Sequence, residues 1–398
     1  MTERRWSAEE ERYRAPAWLD RVQRRALLLG VFAALLSVVG ALLSPEHFFR
    51  AYLVGFLFWI GIPLGLFGIS MLQHMTGGGW GLVARRVFEA ASRTLPFLAL
   101  LFLPLLWGRR SLYVWARPEV VAESELLQHK QPYLNEPFFL GRALLYFGVW
   151  LLFALLLSRW SLQQDRSNDP HLHRRMQILS SLGLVAYMLT ASFASFDWLM
   201  SLDPAWFSSL FGIHFVVGHG AAAFAFLIVW MRRLSGTEPM ADVVAPRHFD
   251  DYGKFLLAFV LLWAYVSFSQ FLIIWSGNLP EEITWYVHRQ EGGWWWLGIV
   301  VFALHFVLPF FLLLSPALRR EPARLALVAL PVLVGRWLDL HWQAVPSLEL
   351  HAPLLHWLDI AVLVAIGGLW LAAFLWQLKR RALVPIHDPH LQEALADA

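Results

Sequence analysis

Hydrophobic residues form long continuous runs along the chain, separated by short polar intervals. A helix needs roughly 20 apolar residues to cross the ~30 Å hydrocarbon core of a bilayer. Inside lipid only helices and closed barrels satisfy every backbone polar group, and runs of this length favour helices. The pattern therefore predicts an all-α integral membrane protein with about ten transmembrane helices, near residues 26–44, 51–73, 92–107, 138–158, 176–196, 208–231, 255–276, 294–314, 325–342 and 354–378.

The third run is short for a span. We expect the preceding segment to lengthen it, with Arg85, Arg86 and Glu89 at the headgroup level or facing protein. The other boundaries give a polar N-terminal tail over 1–25, a transmembrane domain over 26–378 and a C-terminal tail over 379–398. No small-residue cleavage site follows the first run, so we expect that helix to be retained.

Composition supports a membrane class and excludes several others. Apolar residues make up 58% of the 398 residues and charged residues 15%, and the net charge is only +3. This balance is typical of repeated membrane spans and gives no reason to expect a nucleic-acid surface. The chain has no cysteine, which excludes disulfides, thiolate-held iron–sulfur clusters and CxxCH haem attachment.

The distribution of basic residues predicts the orientation. Lys and Arg are retained on the cytoplasmic side of short loops. Most of them lie at the two termini and in alternate loops, whereas the opposite loops contain only Arg50, Arg109, Arg110, Arg117, Lys130 and Arg289. We therefore expect a multi-pass protein of the bacterial inner membrane with both termini in the cytoplasm.

Ionisable residues within the inner and middle parts of the spans are candidates for a proton path, because such residues are costly in lipid. Glu89 lies four residues from both Arg85 and Arg93, so an Arg–Glu–Arg ladder is expected on one helix face. It is either a set of ion bridges that pins the helix or the mouth of a proton path. His219 and His305 lie near mid-depth, where packing, proton relay and quinone contact are the alternatives.

The outer half of the predicted bundle holds more polar residues. A pair between Arg336 and Asp339, three residues apart, is one interpretation, and a proton-conducting or quinol-facing cluster is the other. No repeated histidine pair suits a membrane haem, since His214 and His219 are turned ~140° apart on one helix. The proton-path candidates here are Asp197, Asp203, Asp339 and His341, and the quinone-contact candidates are His214, Gln270 and Arg336.

Four long blocks carry a family resemblance: LQHMTGGGWGLVARRVFEAASRTLP (72–96), ASFASFDWLMSLDPAWFSSLFG (191–212), GKFLLAFVLLWAYVSFSQFLIIWSGNLPEEITWY (253–286) and GRWLDLHW (335–342). With the ten-span layout, they resemble the shorter polysulfide-reductase-type (NrfD-like) membrane subunit of bacterial alternative complex III, a quinol:cytochrome c oxidoreductase. The resemblance covers most of the chain.

The resemblance implies two four-helix bundles plus two additional helices. It also implies a complex with a longer ten-helix sister subunit, an iron–sulfur subunit, and multihaem and monohaem cytochrome c subunits. Haem and iron–sulfur clusters would belong to those partners, and this chain would hold no covalent cofactor. A quinone or menaquinone is the ligand that the family's quinone-binding name implies, and lipids surround the helices.

The family's motifs match this sequence residue by residue. The DWxMSLxPxWFS motif corresponds to Asp197, Ser201, Asp203 and Trp206, with Asp203 where the family commonly has Glu. The other two motifs correspond to Lys254, Tyr265, Ser269 and Gln270, and to Asn278, Glu281 and Glu282. His214 departs from the family pattern, which has a tyrosine or an apolar residue there.

The leading hypothesis is a subunit that supports a quinol-oxidising complex and contributes a proton path or a quinol contact. One alternative is a purely structural membrane anchor of that complex. The other is a stand-alone secondary transporter, which usually shows paired helix breaks. The Gly-rich segment 77–79 has no matching break in the other half of the chain.

Overall fold

The computed structural model describes residues 8–167, 169–349, 353–388 and 391. Over these residues the chain is helical and contains no strand, which confirms the all-α class. The ten long helices are α1 (Trp18–Leu43), α2 (Pro45–Thr76), α3 (Arg85–Trp107, in three segments), α4 (Glu136–Gln164), α5 (Pro170–Trp198), α6 (Phe211–Leu234), α7 (Pro246–Gly277), α8 (Trp294–Leu313), α9 (Pro322–Leu348) and α10 (Trp357–Leu378).

Nine of these helices are long and apolar enough to cross a membrane, counted over the described residues. The chain is therefore a multi-pass membrane protein. The remaining helix, α9, was predicted as the span 325–342, and it forms an unbroken helix of 27 residues packed between α6 and α8. Several helices begin before the predicted apolar run, as α1 does at Trp18, because their polar first turns continue the same helix.

The third span is longer than its apolar core, as expected. It begins at Arg85 and consists of the segments Arg85–Ser92, Leu95–Leu101 and Leu103–Trp107. Pro96 and Pro104 occupy the first turns of the second and third segments, where a missing N–H is tolerated but the preceding helix is interrupted. Arg85, Arg86 and Glu89 are buried and face protein.

The centre of the molecule is formed by α2 and α6, which are buried along most of their length. A Cβ at Gly65 of α2 would overlap the backbone carbonyl of His219 on α6, so glycine is needed for this close approach. Around this pair, α3, α4 and α5 pack on one side and α7, α8 and α9 on the other, while α1 packs along α10. The outward faces carry large exposed apolar side chains suited to lipid.

Short helices connect the spans at both ends of the molecule. We call the end with the start of α1 and the finish of α10 the terminal end, where the Leu383 N–H donates to the Tyr13 carbonyl over 2.8 Å. The opposite end is the far end. Terminal-end connections contain Gly79–Leu82, Met240–Asp242 and Pro316–Arg319, and far-end connections contain Arg109–Leu112, Val114–Ala116, Pro118–Glu123, Glu125–Lys130, Met200–Leu202 and Pro280–His288.

Candidate functional site

An aromatic cavity of about 370 Å³ lies at the far end, between α7, α8, α9 and the short helix Pro280–His288. Its volume falls in the range of small-molecule sites, and its walls are mainly apolar. Phe268 and Trp295 at its rim are 61% and 53% exposed. In a bilayer these exposed apolar side chains would meet lipid, so the cavity, here called the far-end pocket, would open sideways toward it. Its aromatic walls are Trp263, Phe268, Phe271, Trp285, Tyr286, Trp295, Phe302 and Trp342.

Polar groups from several elements converge on this pocket. His214 of α6 is bonded through Nε2 to the Ser267 hydroxyl of α7 over 2.9 Å. Gln270 accepts a hydrogen bond from the Ser208 hydroxyl at 3.0 Å and donates to the Tyr286 hydroxyl at 3.3 Å. Two of the three residues predicted to contact a quinone, His214 and Gln270, thus line one cavity.

Asp339 of α9 forms the buried polar wall of the pocket. Its carboxylate accepts from Arg336 at 2.6 Å, Gln343 at 2.8 Å and the Trp263 indole at 3.3 Å. The predicted pair between Arg336 and Asp339 is therefore formed, and it lies beside the predicted quinone contacts. The ion pair and the quinol-facing cluster, which were alternative interpretations of the sequence, therefore involve the same group of side chains.

Arg336 lies behind the pocket wall and does not line the cavity. Its guanidinium rests against Gly218 of α6, where a Cβ would overlap it, and also donates to the Phe215 carbonyl at 3.4 Å. The absence of a side chain at Gly218 is what lets the cation reach Asp339. Arg336 therefore holds the carboxylate in place and does not touch a ligand directly.

The two mid-depth histidines lie on different helices, His219 on α6 and His305 on α8. The His305 ring is in a π-helical turn, Ala303–Val307, with Nδ1 3.1 Å from the Val332 carbonyl and the Trp263 ring 4.5 Å away. His219 is 3.2 Å from the Tyr187 hydroxyl through Nδ1. Both rings are fully buried, and in both the Nε2 atom has no hydrogen-bond partner among the described residues. Each is free to donate or accept one further bond.

The other far-end candidates lie in separate places. Asp197 forms a two-pronged pair with Arg142 of α4, at 2.7 and 2.8 Å, and accepts from the Tyr146 hydroxyl at 2.6 Å. His341 is only two residues beyond Asp339 but faces the other side of α9, where Nε2 meets the Leu354 carbonyl at 2.7 Å. Asp197, on α5, and His341, on another face of α9, therefore lie apart from the group around Asp339.

Asp203 lies in the connection between α5 and α6 and lines a second cavity of about 420 Å³. Its carboxylate accepts from the Ala205 N–H at 3.2 Å. Lys130, on the same cavity, donates to the Pro204 carbonyl at 2.5 Å, and partial burial lowers its pKa. This cavity opens among the far-end connections and not between the spans.

The terminal end contains a separate ionic cluster. Glu89 accepts from Arg86 at 2.7 Å and from Arg381 at 2.9 Å, with Arg93 3.8 Å away. The Ser161 hydroxyl of α4 also donates to Glu89. Glu89 thus lies among three arginines, which favours ion bridges over a proton mouth.

The expected ladder of Arg85, Glu89 and Arg93 is wrong for Arg85. Arg85 pairs with Asp388 of the C-terminal segment and not with Glu89, while Arg86 joins Glu89 to Asp165. Burial raises the pKa of Asp165 against the opposing effect of Arg86, and burial lowers the pKa of Arg381. The C-terminal segment thus folds back over α3 and α4 and closes the cluster.

Several pocket residues were not singled out from the sequence, foremost Trp263, Ser267, Tyr286, Gln343 and Arg289. The clearest available signal was Arg289, the one Lys or Arg of its far-end connection. The others lie among many similar aromatic and polar residues. No family model matches this chain, and no curated protein matches it at a significant level.

Proposed function

We propose that this chain is an integral membrane subunit of a quinol:cytochrome c oxidoreductase of the alternative complex III type, and that the far-end pocket contacts the ring of a quinol or quinone. The observation that carries the proposal is a lipid-open aromatic cavity that joins His214, Gln270 and Asp339. A planar, hydrophobic ring with two polar ends suits flat indole walls with a few hydrogen-bonding groups. A menaquinone has this chemistry.

The proposed architecture is two four-helix bundles plus two additional helices, all ten crossing the membrane. The packing supports this division, since α2–α5 contact one another, α6–α9 contact one another, and α1 pairs with α10. The terminal end would face the cytoplasm of a bacterial inner membrane, and the basic residues of the tails support this orientation. The far-end pocket would then lie near the outer surface.

The partners in this proposal are the sister subunit, the iron–sulfur subunit and the cytochrome c subunits, which would hold all redox centres. Quinol oxidation releases two protons and two electrons, and the electrons would leave through those partners. Asp339 is the residue in this chain best placed to accept a proton, because its carboxylate lines the pocket. His214, hydrogen-bonded to Ser267, would orient one ring oxygen.

A proton route through this chain would run from Asp339 toward His219 and Tyr187, and Arg336, which stays protonated, would hold Asp339 in place without carrying the proton. The hydrogen bond between His219 and Tyr187 supports this direction. Glu89 and Asp197 would instead serve the anchoring role that was the alternative function, because both carboxylates are paired with arginines and neither lines the far-end pocket. Asp339 is also paired with an arginine, but it lines the pocket. Anchoring and quinol contact are then assigned to different parts of the same subunit.

The proposal is tested by purifying the protein from its native membranes with a tag on this chain. We expect c-type haem and an iron–sulfur protein to accompany it, with quinol oxidation toward a cytochrome. The pocket is tested by binding of an uncharged alkyl naphthoquinone to His214→Ala and Gln270→Ala proteins, each expected to bind about tenfold more weakly. A colourless chain that emerges alone and binds no quinone would overturn the proposal.

A further inference from the structure

Arg289 is a buried cation on the wall of the far-end pocket. Its side chain is fully enclosed, with the residue 1% exposed, and its guanidinium carbon lies 3.4 Å from the centre of the Trp285 ring. Among the described residues no carboxylate lies within 4.0 Å of its nitrogens. Asp203 acts on it only at longer range, and burial lowers the pKa of Arg289 to about 9.

This situation sets Arg289 apart from the other buried arginines. Arg85, Arg86 and Arg336 each form an ion pair with a carboxylate. A buried charge without a counter-charge is strongly unfavourable, so proteins rarely keep one except where a ligand or partner supplies the opposite sign. Arg289 lines the pocket, so the missing negative charge is expected there.

The hydrogen bonds of Arg289 restrict what the anion can be. Four of its five N–H groups are used, by the carbonyls of Trp285, Trp342 and Gln343 and by the Ser347 hydroxyl. One N–H remains for a ligand. A phosphate group is usually held by several donors, whereas a single ionised oxygen needs one donor and a nearby charge.

The walls restrict the rest of the ligand. Trp285 stacks on Trp206 with ring centres 4.5 Å apart, and Arg289 also lies 5.5 Å from the Trp342 ring. Trp206 and Arg289 cover the two faces of Trp285, so a ligand would meet the other aromatic walls, among them Tyr286 and Trp342. These walls favour a planar aromatic body over a flexible glycerol headgroup. The Arg289 side of the cavity therefore fits an aromatic ring that carries one oxyanion.

We propose that Arg289 makes the far-end pocket selective for the ionised form of an aromatic hydroxyl, so that it binds a quinol or hydroxyquinone as the oxyanion. This inference rests on the proposed function and adds the charge state of its ligand. The O–H bond of the ring hydroxyl breaks, the proton passes to Asp339 or to water, and the electron pair stays on the oxygen that faces Arg289. No oxidant is needed for this step.

The test uses two probes of matched shape at one neutral pH. An alkyl hydroxynaphthoquinone is ionised under these conditions, whereas the methyl ether of the same compound is uncharged. Binding to the tagged, natively assembled protein is measured by quenching of tryptophan fluorescence. We expect the wild-type protein to bind the anion more tightly than the ether. Arg289→Gln should lower the affinity for the anion by about tenfold or more and change the affinity for the ether by less than about threefold.

Two further variants keep the result decisive. Lys130→Gln removes the same charge from the far end outside this pocket and is expected to leave the preference for the anion unchanged. Arg289→Lys keeps the charge but loses the fixed hydrogen-bond donors. The affinity for both probes should therefore fall, while the anion still binds more tightly than the ether. If Arg289→Gln abolishes binding of both probes, the lysine variant decides, and equal binding of its two probes would contradict the inference.

The outcomes separate this inference from the proposed function. A wild-type protein that binds neither probe would overturn the quinone contact itself. A protein that binds both probes equally well, with equal losses in Arg289→Gln, would overturn the oxyanion preference alone. Displacement of the ionised probe by short-chain phosphatidylglycerol, but not by uncharged quinone, would assign the site to a phosphate headgroup and would also overturn the inference.

Discussion

The two ends of the bundle use buried charge in different ways. At the terminal end, Glu89 is surrounded by Arg86, Arg93 and Arg381, and the C-terminal segment covers the cluster. At the far end, Asp339 and Arg289 line the aromatic far-end pocket. Matched charges hold helices together, whereas an unmatched charge beside a cavity leaves an interaction for a ligand. Under the proposed function, the same residue types would serve anchoring at one end and binding at the other.

The largest effect is expected from breaking the matched cluster. Glu89→Gln leaves Arg86, Arg93 and Arg381 without their shared carboxylate, and loss of one partner of a buried ion pair costs about 3–5 kcal/mol. We expect a large fall in the apparent unfolding temperature of the detergent-solubilised protein. The control is Glu136→Gln, which removes a half-exposed partner of Arg109 and should cost no more than about 1 kcal/mol. Equal, small shifts for both variants would contradict an anchoring role for Glu89.

The far-end carboxylate is expected to affect turnover more than stability. Asp339→Asn keeps the shape of the side chain but removes the charge that would accept a proton, so quinol oxidation by the purified complex should fall by about 100-fold. His341→Gln is the matched change on the same helix. Since His341 faces away from the pocket, the rate of quinol oxidation by this variant should stay within about twofold of the wild type. A wild-type rate in the Asp339 variant would remove this residue from the reaction.

The close fit between α6 and α9 offers a more local test. Gly218→Ala places a methyl group where the Arg336 guanidinium lies, so the pair with Asp339 must shift, at a cost of about 1–3 kcal/mol. We expect weaker quinone binding together with lower stability. At Gly148 of α4 an added Cβ meets no atom within 4 Å, and alanine there should raise stability slightly. Unchanged quinone binding in the Gly218 variant would argue against a coupling between Arg336 and the pocket.

The smallest effect is expected at Asp197. Tyr146→Phe removes one hydrogen bond to this carboxylate but leaves its pair with Arg142, so stability should fall by about 1 kcal/mol with no change in turnover. Thermal unfolding and quinol oxidation are measured on the same preparation. A large loss of turnover with unchanged stability would show that Asp197 carries protons and is not an anchor.

Much of the fold could be predicted from hydrophobic runs alone, because membrane helices must be long and apolar. The lengthening of the third span and its buried charges followed from the polar segment that precedes it. Helix extents were less accurate. The start of α1 at Trp18 falls in a polar stretch that carries no hydrophobic signal.

The candidate site was harder to predict, because it depends on which helix faces which. Spacing correctly paired Arg336 with Asp339, since both lie on one helix. Spacing could not show that Asp388 would reach Arg85 across 303 positions of sequence. Nor could it join Arg289 to the far-end pocket, because the carbonyls that hold its side chain belong partly to α9.

The most direct test of the central claim is photo-crosslinking of an alkyl naphthoquinone to the natively assembled protein, followed by peptide mapping of this chain. We predict labels on the segments that form the far-end pocket, within 263–271, 285–302 and 339–343, and competition by unlabelled quinone. Labels found only on other subunits, or on this chain only along its lipid-facing surface without competition, would contradict the account.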